Sequence, residues 1–247
     1  MSSFRSANGF TNHRPDDPLG RFGMIDPSRY SFWFSDFHRS EGITASTAND
    51  WTITSSGSPT VALGDVDGGV IVLTNDGSDD SNIFVQKIGE SFLWDPVKKL
   101  AIVGRFALND ATQSDLALGL QITDTAPLDV TDGIFFYKAD GSAVLTARVE
   151  KNNTAAAANI LTMTDGGYVE VAIVYLGKPV PDINGTATYP FRLYYKDSGG
   201  IWRQAGTIDA TTEAPDDEEL TISIGIQNGT DAAKSLSIDY LLFAKER

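Results

Sequence analysis

Apolar residues recur at every second position through most of this chain, a period that rules out helices as its main building unit. In "LALGLQIT", Leu116, Leu118, Leu120 and Ile122 share one face, with Ala117, Gly119, Gln121 and Thr123 on the other. "LTISIGIQ" repeats the device with Leu220, Ile222, Ile224 and Ile226, and "YVEVAIVY" with Val169, Val171, Ile173 and Tyr175. "KLAIVGRFAL" groups Leu100, Ile102, Phe106 and Leu108 while Arg105 points away. Successive side chains of a strand face opposite ways, so period two over five or more residues predicts strands with one apolar face.

Turn formers separate these runs: "TNDGSDDSN", "KADGSA", "KDSGG" and "QNGTDAAK". Asp140-Gly141, between "IFFYK" and "AVLTARVEK", predicts a hairpin, because glycine accepts the positive φ of a tight turn. The pattern places strands near 33–37, 51–54, 60–64, 69–75, 81–86, 99–108, 115–123, 133–138, 143–151, 168–177, 190–196, 201–208, 219–227 and 235–244. Many short strands with regular turns and no amphipathic helix predict an all-β fold, a β-sandwich or jelly roll. No Pro/Gly/Ser linker divides residues 31–247, which read as one domain, whereas residues 1–30 fit no period and read as an extended N-terminal arm.

Charge narrows the partners. The chain carries 19 Lys and Arg against 33 Asp and Glu, a net charge of -14. Nucleic-acid affinity comes from Lys and Arg displacing counterions, so neither nucleic acid nor an anionic membrane is an expected partner. The imbalance is uneven: residues 1–30 are +1 and the remainder -15. With no cysteine there is no thiolate nucleophile and no cysteine-ligated metal. The first twenty residues lack the apolar core of a signal peptide, and no apolar run is long enough to span a membrane.

Residues able to carry chemistry are sparse. His13 and His38 both precede the main β body, and a Ser-His-Asp triad needs a histidine held rigidly against a nucleophile. Glu150 and Glu170 stand alone on their strands, facing away from the apolar side, and read as solvated strand charges rather than a glycosidase pair. Asp65, Asp67 and Asp76 are weak calcium candidates in "GDVDGG" and "NDGSDD"; the spacing fails the EF-hand pattern, and Asp-Gly turns explain them more simply. No metal and no cofactor is expected. Trp33, Phe34, Phe37, Trp51, Trp94 and Trp202 are placed either in the core or along a sugar-binding groove.

"DGIFFYKADGSAVLTARVEKNN", "YVEVAIVYLG" and the closing "SLSIDYLLFAKER" resemble virion structural proteins of tailed phages, marine and cyanobacterial ones in particular, of the head decoration or cement class. The "SIDYLLFAK" ending is also similar to the last strand of concanavalin-A-like (laminin-G-like) jelly rolls. The resemblance implies a non-enzymatic capsid protein on the phage head surface, made in the host cytoplasm. It would bind the major capsid protein and form homo-oligomers there. Under that reading Phe4, Arg5, Phe10, Arg14, Arg21, Phe22, Arg29 and Tyr30 form a capsid-binding arm that buries nothing against its own body. The alternative is a lectin-like carbohydrate-binding module, on the virion surface or in a tail appendage.

Overall fold

A strand with one apolar face needs a second such face to cover it, and in the computed structural model two antiparallel sheets cover each other. The structure describes residues 17–20, 22, 26–45, 50–181 and 185–247. Among these, sixteen strands follow in order: β1 (Tyr30–Ser35), β2 (Trp51–Ser56), β3 (Thr60–Leu63), β4 (Ile71–Thr74), β5 (Asn82–Lys87), β6 (Lys99–Leu108), β7 (Ser114–Gln121), β8 (Gly133–Lys138), β9 (Val144–Lys151), β10 (Thr154–Thr162), β11 (Val169–Leu176), β12 (Val180–Pro181), β13 (Ala187–Lys196), β14 (Trp202–Ala210), β15 (Thr221–Asn228) and β16 (Ser235–Glu246). The larger sheet has nine strands ordered β12-β13-β11-β6-β16-β4-β3, with β1 on β16 and β14 on β13. The smaller has seven, ordered β10-β9-β8-β7-β15-β5-β2. The all-β sandwich expected from the alternation is the fold observed.

The alternating residues build the core. Ile102, Phe106, Ile173, Leu193, Ile238 and Phe243 of the larger sheet meet Val85, Leu118, Ile134, Ala147 and Ile224 of the smaller. Each fully buried aliphatic or aromatic side chain contributes roughly 1.5–3 kcal/mol relative to exposure. Gly141, at φ 71°, makes the expected turn between β8 and β9.

Two strands escape the sequence reading. β10 begins with an alanine run, which shows no alternation and has weak strand preference, so its place comes from pairing with β9 rather than from its own pattern. The turn joining them is Asn152-Asn153, with φ of 50° and 62°, the positive pair a tight hairpin demands. β12 is only two residues long. β1 starts at Tyr30, three residues before the expected strand.

Both outer faces are partly covered by the chain itself. On the larger sheet, Ala101, Val103, Ala172, Val174, Tyr194 and Leu242 form an apolar strip, and Phe22 and Tyr30 pack onto it. The Tyr30 hydroxyl donates a 3.2 Å hydrogen bond to the Phe22 carbonyl. The expectation that the opening segment buries nothing against its own body is therefore corrected for these two residues. The outward residues Ala101 and Val103 of β6 and Ala172 and Val174 of β11 are small or apolar, and exposed apolar surface draws cover. On the smaller sheet, Leu128 and Val130 of the 122–132 segment pack against Phe84, Ala117 and Phe135. The Gln121 side-chain amide donates to the Pro127 carbonyl at 2.9 Å, and the Gln86 amide to the Ile122 carbonyl at 3.0 Å.

Candidate binding cup on the larger sheet

One row of side chains crosses the outer face of the larger sheet. Tyr240 on β16 lies opposite Arg105 on β6, and Arg105 opposite Glu170 on β11. Lys196 on β13 continues the row, bonded to Glu170, and Trp202 on β14 lies opposite Lys196. Neighbouring strands sit about 4.8 Å apart, so the row spans roughly 19 Å over five strands.

A bulge makes this row possible. Between Ile238 and Tyr240 the register with β6 shifts, and the extra residue is Asp239. Ile238, Leu241 and Phe243 all point into the core, so the chain changes phase at Asp239 and Tyr240 comes to the outer face. Asp239 pairs there with the Arg105 guanidinium, which also lies 4.4 Å over the Tyr168 ring.

Glu170 is the hub. Lys196 Nζ donates to both of its carboxylate oxygens at 2.9 Å, and the Tyr240 hydroxyl donates to Oε1 at 2.6 Å. Burial, followed by the adjacent Glu170 carboxylate, pushes the Tyr240 phenol far above its ordinary range, so it stays a neutral donor. The Lys196 ammonium sits 5.7 Å over the Trp202 ring and fixes that indole from one side.

Above the row lies a cup of about 240 Å³ lined by Phe34, Val103, Glu170, Trp202, Tyr240 and Leu242, with Asp17, Pro18 and Leu19 forming one wall. Phe34 is 52% exposed. The cup therefore combines flat apolar rings with a few fixed polar groups, the usual composition of a small-ligand site.

The sequence candidates fall elsewhere. Phe4, Arg5, Phe10, Arg14, Arg21 and His13 lie outside the described residues. Phe22 and Tyr30 bury against their own sheet, and Arg29 stands 3.8 Å from Glu246 Oε1 with an exposed side chain. His38 is exposed and pairs with Asp36 at 3.1 Å. Asp76 accepts backbone N–H groups from Ser58 and Ser78, hydrogen bonds that hold its carboxyl below the usual range; it shapes a turn. Asp65 and Asp67 are exposed turn residues. Among the described residues no group of three or more His, Asp or Glu side chains converges as a metal site.

Neither glutamate is a solvated strand charge, which corrects the sequence reading. Glu170 is bridged as described, and Glu150 is only 8% exposed. Its Oε2 has no hydrogen-bond partner, Arg148 stands 3.7 Å away, and burial raises its carboxyl above the ordinary range. Trp51 and Trp94 are core residues and Trp33 packs against the core, whereas Trp202 and Phe34 reach the cup. Tyr240 was missed. Its signal is the three-residue step from Ile238 to Leu241, an odd interval in an otherwise even series.

No family model matches the chain, and no curated protein matches it in sequence. Its fold does have solved counterparts. A protein of unknown function from Shewanella oneidensis MR-1 superposes with a TM-score of 0.57 at 15% identity, covering 91% of this chain and 95% of that one. Peanut lectin superposes at 0.54 with 13% identity over 87% of this chain and 97% of its own. An endo-1,3-beta-glucanase from Streptomyces sioyaensis gives 0.54 and 12%, covering 90% and 99%. These likenesses establish a lectin-like, concanavalin-A-like β-sandwich.

Proposed function

We infer that this protein is a carbohydrate-binding module that holds a sugar in the cup on the outer face of its larger sheet. The observation that carries this reading is the cup itself, where Phe34 and Trp202 line the wall beside a carboxylate fixed by Lys196 and Tyr240. Ring faces stack on the apolar C–H faces of a pyranose, and oriented acceptors take its hydroxyl protons. A lectin and a glucanase of the same fold agree with a saccharide ligand.

Binding is favoured over hydrolysis. Glycosidases need one free carboxylic acid and one free carboxylate flanking the scissile bond. Both Glu170 oxygens are held by Lys196, one of them also by Tyr240, so this carboxylate is engaged with its own neighbours and suits orienting a ligand. The capsid-decoration reading asked for anchors that face a partner, and Phe22 and Tyr30 face their own sheet.

A glycan array probed with the full chain tests the reading. Saturable binding that Trp202→Ala reduces at least about tenfold, with the unfolding midpoint unchanged, is the expected result. A silent array, or binding indifferent to Trp202, overturns it.

A further inference from the structure

The polar side chains of the cup have more lone pairs than protons to offer. A carboxylate presents about four lone-pair sites. At Glu170, Lys196 Nζ occupies one on each oxygen at 2.9 Å, and the Tyr240 hydroxyl occupies a second on Oε1 at 2.6 Å. Oε1 is therefore saturated, and Oε2 keeps one site. The Tyr240 phenol, held neutral by its burial, commits its proton to Oε1, which leaves its own oxygen able only to accept.

The other groups around the hub do not change this balance. Lys196 commits protons to both Glu170 oxygens, and its ammonium rests 5.7 Å over the Trp202 ring. Asp17, in the cup wall, carries a carboxylate, an acceptor group. The Trp202 indole N–H is the lining's remaining side-chain donor. Lys196 also balances the Glu170 charge, so the hub offers lone pairs without net charge, and a neutral donor serves it as well as a cation does.

We infer that the cup recognises a neutral pyranose through two adjacent, unsubstituted hydroxyls, one donating to Glu170 Oε2 and its neighbour to the Tyr240 oxygen. This inference rests on the sugar-binding reading and names the class of sugar. The Tyr240 oxygen is bonded to Oε1, and Oε2 belongs to the same carboxyl group, so the two open acceptors are close enough for neighbouring ring hydroxyls to reach both. The cup's volume of about 240 Å³ falls below the roughly 300–1,000 Å³ of sites for drug-sized ligands, so a single ring fills it. An ester, ether or fluorine at either position brings lone pairs where a proton is needed. It leaves an acceptor unpaired, and sites built to bond a hydroxyl reject analogues that lack it far more strongly than they reject a lost apolar contact.

The test is a chemical-shift titration of the full chain with the methyl glycosides of glucose, galactose and mannose, and with analogues in which one hydroxyl at a time is replaced by fluorine. Fluorine keeps the polarity and nearly the size of a hydroxyl but has no proton. The preferred hexose should lose about tenfold or more in affinity when either of two adjacent hydroxyls is replaced, and little elsewhere. In Tyr240→Phe one of those two losses should disappear while the other remains, a split that a merely structural role for Tyr240 would not produce. Should that variant unfold, the wild-type series alone decides. Losses spread over all positions, losses at non-adjacent positions or no losses overturn the inference and leave the sugar-binding reading standing. So does an about tenfold preference for methyl glucosaminide over all the hexoses, or a positive glycan array with no saturable shift at Trp202 from any of them. A silent array with no such shift overturns the sugar-binding reading itself, and the inference falls with it.

Discussion

The Tyr240 hydroxyl reaches past Arg105, its partner in register, to donate a 2.6 Å hydrogen bond to Glu170 Oε1 two strands away. That bond depends on the Asp239 bulge, since in regular alternation from Ile238, with Asp239 paired in the ladder, Tyr240 would point into the core. Removing it tests both its strength and its role. Tyr240→Phe leaves Glu170 with Lys196 alone and should lower stability by about 1–2 kcal/mol in urea unfolding. If the cup binds sugar through an oriented carboxylate, the same variant should weaken binding while Trp202 stays in place.

Alkaline pH should reveal the buried phenols. Burial raises Tyr240 and Tyr175 above the ordinary value near 10, so between that value and the folded one the native state holds protons the unfolded chain has released. Their stabilising contribution is complete below about pH 10 and declines as pH rises beyond it. Urea midpoints should fall between pH 9 and pH 11, and the fall should be shallower in Tyr240→Phe.

Glu150 predicts an opposite kind of variant, one that stabilises. Its carboxyl is raised by burial and Oε2 lacks a hydrogen-bond partner, so the charged form is disfavoured in the native state. The stability linked to its protonation is present below the unfolded value near 4.3 and lost as pH rises through the folded one. Glu150→Gln should therefore raise the melting temperature at pH 7 and change it little at pH 4. An unchanged melting temperature at pH 7 would show that the 3.7 Å Arg148 contact already offsets the burial.

Close ring packing on the smaller sheet makes Gly225 hard to replace. A Cβ there would sit 1.8 Å from Phe84 Cδ1, because the ring lies flat on the glycine. Gly225→Ala should cost about 1–3 kcal/mol, measured by chemical denaturation. Pairing it with Phe84→Leu should recover part of the loss.

The alternation of Leu116, Leu118 and Leu120, or of Ile222, Ile224 and Ile226, made the sandwich legible, because burial on one face imposes a period that local sequence must carry. β10 was not legible. Its alanines owe their conformation to the β9 edge and the Asn152-Asn153 turn, which are tertiary facts. The cup was legible only in fragments: Trp202 and Phe34 stood out as aromatics, but nothing local reveals that Glu170, Lys196 and Tyr240 share one row. Their strands are separated by long stretches of chain, and the row exists only once the ladder register is known. Phe22 and Tyr30 misled for a related reason, since the small outward residues of β6 and β11 that receive them are distant in sequence.

The central claim is that a sugar ring is held on the outer face of the larger sheet, and a crystal structure of the full chain with an array-selected glycan tests it most directly. The account predicts a pyranose seated between Phe34 and Trp202, with a hydroxyl within hydrogen-bond distance of Glu170. A glycan bound elsewhere on the molecule, with the cup filled by solvent alone, would contradict it.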